Sequence, residues 1–231
     1  MDYSMIMQTR RNFLLQASGL ASGLGFGLLA GPSWAIASAI EPTTFIAYRN
    51  DSLFGYHKLN FTESGPRLTV DIEIAFDYKL AFIPLYRYRH RNREIWEDGR
   101  LVALTTETDD DGTNYRVEAK AEGDRLLVSG SGGKLILPAG TPSTSYWNEK
   151  TLERGEWLDT QNGKLARSTV TSRNPEPIMV AGKEVIAKAY DLAGDITCTL
   201  WYHNDRWVKL RFIASDQSII EYTIDMPGRN G

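Results

Sequence analysis

The chain holds a single cysteine, Cys198, in 231 residues. One cysteine cannot close an intramolecular disulfide, so the protein must be held by a packed core. Its three histidines, His57, His90 and His203, stand far apart in sequence, whereas a metal site needs several convergent ligands. No dinucleotide loop joins a strand to a helix, and no segment has persuasive amphipathic helical periodicity. Basic residues do not outnumber acidic ones: there are 26 Lys and Arg against 29 Asp and Glu. Nucleic acid, whose binding rests on cationic neutralisation of phosphates, is excluded as an expected partner. No cofactor and no metal are expected.

Two glycine-rich segments imitate binding motifs without meeting their requirements. In Asp109-Asp110-Asp111-Gly112 the glycine is fourth, whereas a calcium-binding EF-hand loop needs it sixth and a glutamate twelfth. Ahead of Gly133-Lys134, Val128 stands where the first P-loop glycine belongs, and Leu135 replaces the Mg-binding Ser or Thr. Both read as hairpin turns. Cys198 on a strand shares a face with Ile196 and Leu200, opposite Trp201 and His203. It therefore cannot pair with that histidine as a nucleophile and reads as core packing.

The N-terminus carries an address. Arg10-Arg11-Asn12-Phe13-Leu14 precedes a mild apolar run to Ala30 that is diluted by Gly19, Gly23, Gly25 and Gly27. This is the form of a twin-arginine export signal rather than of a spanning helix, which wants about 20 strongly apolar residues. Pro32 ends the expected signal helix, and Ala35-Ile36-Ala37 or Ala37-Ser38-Ala39 supplies a small-x-small cleavage site. Arg10, Arg11, Phe13 and Leu14 are the expected recognition residues, with the twin-arginine translocase and signal peptidase as partners. No cysteine lies near Ala37, so no lipid attachment through a leader cysteine is expected. Residues 1–39 are thus read as leader, 40–226 as one domain and 227–231 as a disordered tail. Removing the leader leaves 24 basic and 28 acidic residues, and the expected product is a periplasmic, acidic chain with no membrane span.

Beyond the leader the hydrophobic period is two. Leu68, Val70, Ile72, Ile74, Phe76 and Tyr78 alternate with Arg67, Thr69, Asp71, Glu73, Ala75 and Asp77, the pattern of a half-buried antiparallel strand. Turn signals such as Gly65-Pro66, Asp98-Gly99, Asp111-Gly112, Gly123-Asp124, Asn162-Gly163 and Asn204-Asp205 follow at short intervals. The expected fold is all-β: a curved antiparallel up-and-down sheet closing into a half-barrel or barrel. Pro138, Gly140 and Pro142 interrupt it, so a short helix or loop across one mouth is expected between Pro138 and Leu158. A second break, Ser172 to Pro177, reads as a crossover between strands.

One segment stands above this pattern. Arg87, Arg89, Arg91 and Arg93 alternate with Tyr86, Tyr88, His90 and Asn92, so a strand puts guanidinium groups on one face and aromatic rings on the other. The arginine face is either an anion clamp or, beside the strand bearing Asp71, Glu73 and Asp77, an ion-pair ladder. The tyrosine face is a candidate ligand wall. Trp96, Trp147, Trp157, Trp201 and Trp207 add amphipathic area; Trp207 belongs with the core, while Trp96 and Trp147 join Tyr86 and Tyr88 as wall candidates.

Tyr48, Gly55-Tyr56-His57, Tyr86-Arg87-Tyr88, Glu94-Ile95-Trp96-Glu97-Asp98-Gly99-Arg100-Leu101, Asp159-Thr160-Gln161-Asn162-Gly163, Tyr190 to Asp195 and Leu200-Trp201-Tyr202 resemble an uncharacterised family of exported bacterial β proteins. The Glu-x-Trp-x-Asp-Gly-Arg-Leu block is the most specific part. The resemblance covers most of the chain and implies no catalytic residue. More distantly, the pattern is similar to periplasmic half-barrels that carry lipids or lipoproteins, a likeness of fold alone. The expected function is a non-enzymatic periplasmic protein holding an apolar or amphiphilic, lipid-like ligand, with Tyr86, Arg87, Tyr88, Arg89, His90, Trp96 and Trp147 as its site. Two other classes fit the same residues: an enzyme acting on an anionic envelope component through the Arg87 to Arg93 stripe with His90 or Glu94 as acid or base, and an envelope protein-interaction module.

Overall fold

A computed structural model describes residues 40–224. Arg10, Arg11, Phe13, Leu14, both cleavage sites and the tail lie outside the described residues. Among the described residues the alternation seen in sequence becomes fifteen strands: β1 (Thr43–Arg49), β2 (Ser52–Ser64), β3 (Arg67–Leu80), β4 (Ile83–Glu97), β5 (Arg100–Asp110), β6 (Thr113–Glu122), β7 (Arg125–Gly130), β8 (Gly133–Pro138), β9 (Glu156–Leu158), β10 (Leu165–Ser172), β11 (Glu176–Val180), β12 (Lys183–Gly194), β13 (Cys198–His203), β14 (Arg206–Ile213) and β15 (Ile219–Ile224). All pair antiparallel in one sheet, in the order β8-β7-β6-β5-β4-β3-β2-β1-β15-β14-β13-β12-β10-β9, with β11 on β12. The order follows the chain except where β10 and β11 share β12 as neighbour and at one seam, where β1 meets β15 with Phe45 opposite Ile224 and Arg49 opposite Ile220.

Local chemistry sets the hairpins. Asp98-Gly99 and Asp111-Gly112 have positive φ at both residues, the type I′ geometry whose twist matches that of the strands it joins. Gly55 serves a different need. A Cβ at this position would stand 1.9 Å from the Ala75 carbonyl oxygen on β3, so only glycine lets β2 approach β3 there.

The sheet curls but does not close. Edge strands β8 and β9 do not pair with each other, and the coils on either side of β9 do the bridging. Leu158 N donates to Pro142 O at 2.7 Å, and Gly132 N, from the β7–β8 turn, donates to Asn162 O at 2.7 Å. The interruption expected between Pro138 and Leu158 holds a single 3-10 helix, Glu149–Arg154, capped by Asn148 and ended by Gly155 at φ 65°. Its coil reaches both halves of the sheet: Trp147 lies edge-on to Trp96 of β4 and to Phe61 of β2, and Tyr146 O accepts from Tyr202 Oη of β13. The break at Ser172 to Pro177 is not the crossover that the sequence suggested. Strands β10 and β11 both pair with β12, Ser172 opposite Tyr190 and Glu176 opposite Ala187, so the chain bends along one neighbour. Arg173 N still donates to Ala189 O, so the bonding to β12 extends one residue past β10, ahead of Pro175, which has no donor of its own.

The concave face carries the core. Phe45, Leu59, Val70, Leu101, Leu104, Val117, Leu126, Trp157, Leu158, Leu200 and Tyr202 are buried to 1% exposure or less. Trp207 belongs to the same cluster, its ring 4.2 Å from that of Phe45. A smaller cluster of Ala187, Ala189, Trp201 and Val208, with Ile178 and Val180 of β11 against it, explains why β13 and β14 are buried on both faces.

Candidate functional site

The inner face of β4 runs through three environments. Tyr86 and Tyr88 lie at one end, His90 and Asn92 in the middle, and Glu94 and Trp96 at the other end. The expected site residues are therefore split rather than gathered.

At the first end a cleft of about 700 Å³ opens between β1–β4 and the β14–β15 hairpin. One wall is a run of aromatic rings: Tyr86 stacks on Phe54 at 6.3 Å, Phe54 on Phe76 at 4.8 Å, and Phe76 on Tyr88 at 5.6 Å. Tyr222 closes the floor, its ring 5.8 Å from that of Phe76. The cleft also carries two polar stations. Asp110 accepts from Tyr86 Oη at 2.8 Å and from Gln161 Nε2 at 3.2 Å, while Tyr88 Oη donates to Gln161 Oε1 at 3.1 Å. Across the opening, Arg49 pairs with Asp216 and lies 4.0 Å above the Tyr78 ring. Hydrogen bonds from Ser218, helped by Arg49, pull the Asp216 carboxyl down to about 2. Burial raises the Tyr86 phenol, as does its bond to Asp110. Burial likewise raises Tyr88 and Tyr222, so all three stay neutral phenols.

The arginines point the other way. Arg89 is bonded to Asp77 at 2.8 Å, Arg93 to Asp71 at 2.6 Å and Arg87 to Asp109. Arg91 lies opposite Glu73 in register. The stripe has the geometry of the ladder that the sequence allowed, with one change: Arg87 takes its partner from β5 rather than β3.

At the far end Glu94 is fully buried and accepts five hydrogen bonds. They come from Asn92 Nδ2 at 2.8 Å, Trp96 Nε1 at 2.8 Å, Ser143 Oγ at 2.6 Å, Ser145 Oγ at 3.2 Å and Trp147 Nε1 at 3.4 Å. All five donors are neutral side chains, and their number offsets the cost of burying a carboxylate. Trp96 and Trp147 therefore hold the coil to the sheet, away from the cleft. Between the two ends His90 is 3% exposed, bonded to Thr108 at 2.8 Å, and pushed down to about 4 by burial. His57, enclosed by Phe45, Trp207 and Tyr222, has no protein partner for either ring nitrogen. Burial, reinforced by His90, pushes it down to about 3. Both candidate acid or base residues are thus buried, His90 at 3% exposure and Glu94 at 0%. Cys198 is buried, and its thiol is pushed up to about 12 by burial and by Asp191.

Sequence reasoning found Tyr86 and Tyr88 but missed most of their company. Phe76 and Tyr78 were visible on the apolar face of their strand, so their place in the wall could have been read from the period. Phe54, Asp110, Gln161, Asp216 and Tyr222 come from distant segments, and no local signal marks them.

The chain belongs to the family described as Domain of unknown function (DUF6134), which matches residues 45–225. A comparison with curated proteins gives no match. Among solved structures, the chain is similar to a beta-barrel-like protein of a domain of unknown function, DUF1849, from Brucella abortus. The identity is 12% and the TM-score 0.56, over 80% of this chain and 95% of that one. At that identity the likeness is one of fold.

Proposed function

We propose that the protein is an exported, non-enzymatic binding protein that holds an apolar or amphiphilic ligand in the cleft beside Tyr86. The observation that carries this reading is the stack Tyr86-Phe54-Phe76-Tyr88 along a cleft of about 700 Å³. Ligand sites are concave, mostly apolar and punctuated by a few placed polar groups, and Asp110 with Gln161 and Arg49 with Asp216 are such groups here. An amphiphile would lay its chain along the rings and its polar end at one of these stations. The leader supports the periplasmic setting: Arg10 and Arg11 would direct a folded chain to the twin-arginine translocase, with cleavage near Ala37 or Ala39.

Native mass spectrometry of protein recovered from the periplasm tests the reading. A retained small molecule that is lost in Tyr86→Ala is the expected result. A single ligand-free mass, together with no tryptophan fluorescence response to added lipids, overturns it. The route is tested separately by changing Arg10 and Arg11 to Lys, where undiminished export would remove the twin-arginine assignment.

A further inference from the structure

Large apolar side chains are exposed at one end of the sheet. Among the described residues nine are conspicuous, and six of them, Leu53, Phe82, Ile83, Leu85, Ile213 and Ile219, sit on or beside the β1–β2, β3–β4 and β14–β15 turns. Strand pairing makes these turns neighbours, because β4, β3, β2, β1, β15 and β14 are consecutive in the sheet and β1 ends against the start of β15. Phe82 is 97% exposed at the tip of the β3–β4 hairpin, the side chain with most to gain from leaving water.

We propose that this end docks on a lipid surface, with Phe82 and Ile83 inserted deepest. The order of side chains along the hairpin singles out that partner. The uncharged tip, Ala81-Phe82-Ile83-Pro84-Leu85, comes first. The half-buried pair Tyr78 and Tyr86, opposite each other in register, comes next. The charged pairs Arg89–Asp77 and Arg87–Asp109 follow. Apolar tip, tyrosine level and charged level are the sequence met on passing from acyl chains through the interface to water. The apolar groups also project from separate turns around the cleft opening, which suits a deformable lipid surface better than a rigid face of a second protein. Arg49, Arg87 and Arg89 already have carboxylate partners. Of the remaining rim charges Lys79 is outnumbered by Asp51, Asp110 and Asp111, so an uncharged, zwitterionic surface fits and an anionic one does not. The docking does not depend on the cleft holding a ligand, so either conclusion can fail without the other.

Cosedimentation of the purified chain with phosphatidylcholine vesicles tests it, using Phe82→Asp/Ile83→Asp and, as a control at the opposite end of the sheet, the exposed Met179→Asp. The expected result is partition that persists in about 1 M salt, falls on the order of a hundredfold in the double variant and is unchanged in the control. Both variants alter exposed side chains, and an unchanged circular dichroism spectrum checks that they fold. No partition overturns the proposal. Partition indifferent to the double variant also overturns it, by assigning membrane binding to another segment such as the leader. Self-association abolished by the double variant without vesicle binding would make the occupant a second copy.

Discussion

The Ser143 hydroxyl donates to Glu94 Oε1 at 2.6 Å, across a sequence separation of 49 residues and in the interior of the curved sheet. Glu94 thereby fastens a coil, broken by proline and unable to form a ladder, to the strand that runs from the core to the cleft. Glu94→Gln turns one acceptor oxygen into a donor that faces other donors. The expected loss is roughly 2–4 kcal/mol of stability, measured by denaturant unfolding. Ser143→Ala should cost less, about 1–2 kcal/mol, because four donors remain.

Gly55→Ala should be worse than its single methyl suggests. The added Cβ would meet the Ala75 carbonyl oxygen at 1.9 Å, and that oxygen belongs to the backbone of β3, so β2 and β3 must separate there. A loss of about 3 kcal/mol or more is expected, read as a lower denaturation midpoint or a failure to accumulate as folded protein.

Acid should weaken the fold before carboxylates titrate. His57 and His90 are held neutral, down to about 3 and about 4, against an unfolded value of 6.5. Between those values the unfolded chain binds protons that the folded one does not. Stability is therefore full above pH 6.5 and falls as pH drops towards 4, by at most about 1.4 kcal/mol per pH unit for each histidine. Unfolding midpoints at a series of pH values check this, and His57→Phe, which removes the titrating group and keeps a ring among Phe45, Trp207 and Tyr222, should shallow the slope.

The arginine stripe should matter little to stability. Its pairs are exposed, with Arg93 and Asp71 side chains 66% and 40% accessible. Arg89→Ala or Arg93→Ala should each leave the denaturation midpoint nearly unchanged, with the smallest effect in high salt. A larger effect in unfolding experiments would mean that the ladder does more than pair charges.

Cys198 should resist thiol reagents in the native protein. Burial keeps its thiol protonated, up to about 12, so the thiolate that reacts is scarce and covered. Ellman's reagent at mildly alkaline pH should label the chain only after denaturation.

Much of this architecture was legible in the chain. The alternation from Leu68 to Tyr78 marked β3 and its inner face, Asp98-Gly99 and Asp111-Gly112 marked hairpins, and Pro138 with Pro142 marked the interruption. The tyrosine and arginine faces of β4 followed from the period of two. These are short-range properties: side-chain alternation and turn geometry are set by residues within a few positions of one another.

The sequence by itself therefore determined an all-β meander, its turns, and which side chains of each strand share a face. Only the tertiary structure decided how the meander curls, because the seam between β1 and β15 joins the two ends of the domain and no local pattern encodes such a pairing. It alone decided that Tyr86 and Trp96, ten residues apart on one face, belong to different environments, the first to an open cleft and the second to a buried carboxylate. It also decided the fate of the break at Ser172, where a bend along β12 preserves hydrogen bonds that a crossover would have given up. A strand fixes only the direction in which its side chains point; what they meet depends on segments brought together from far along the chain.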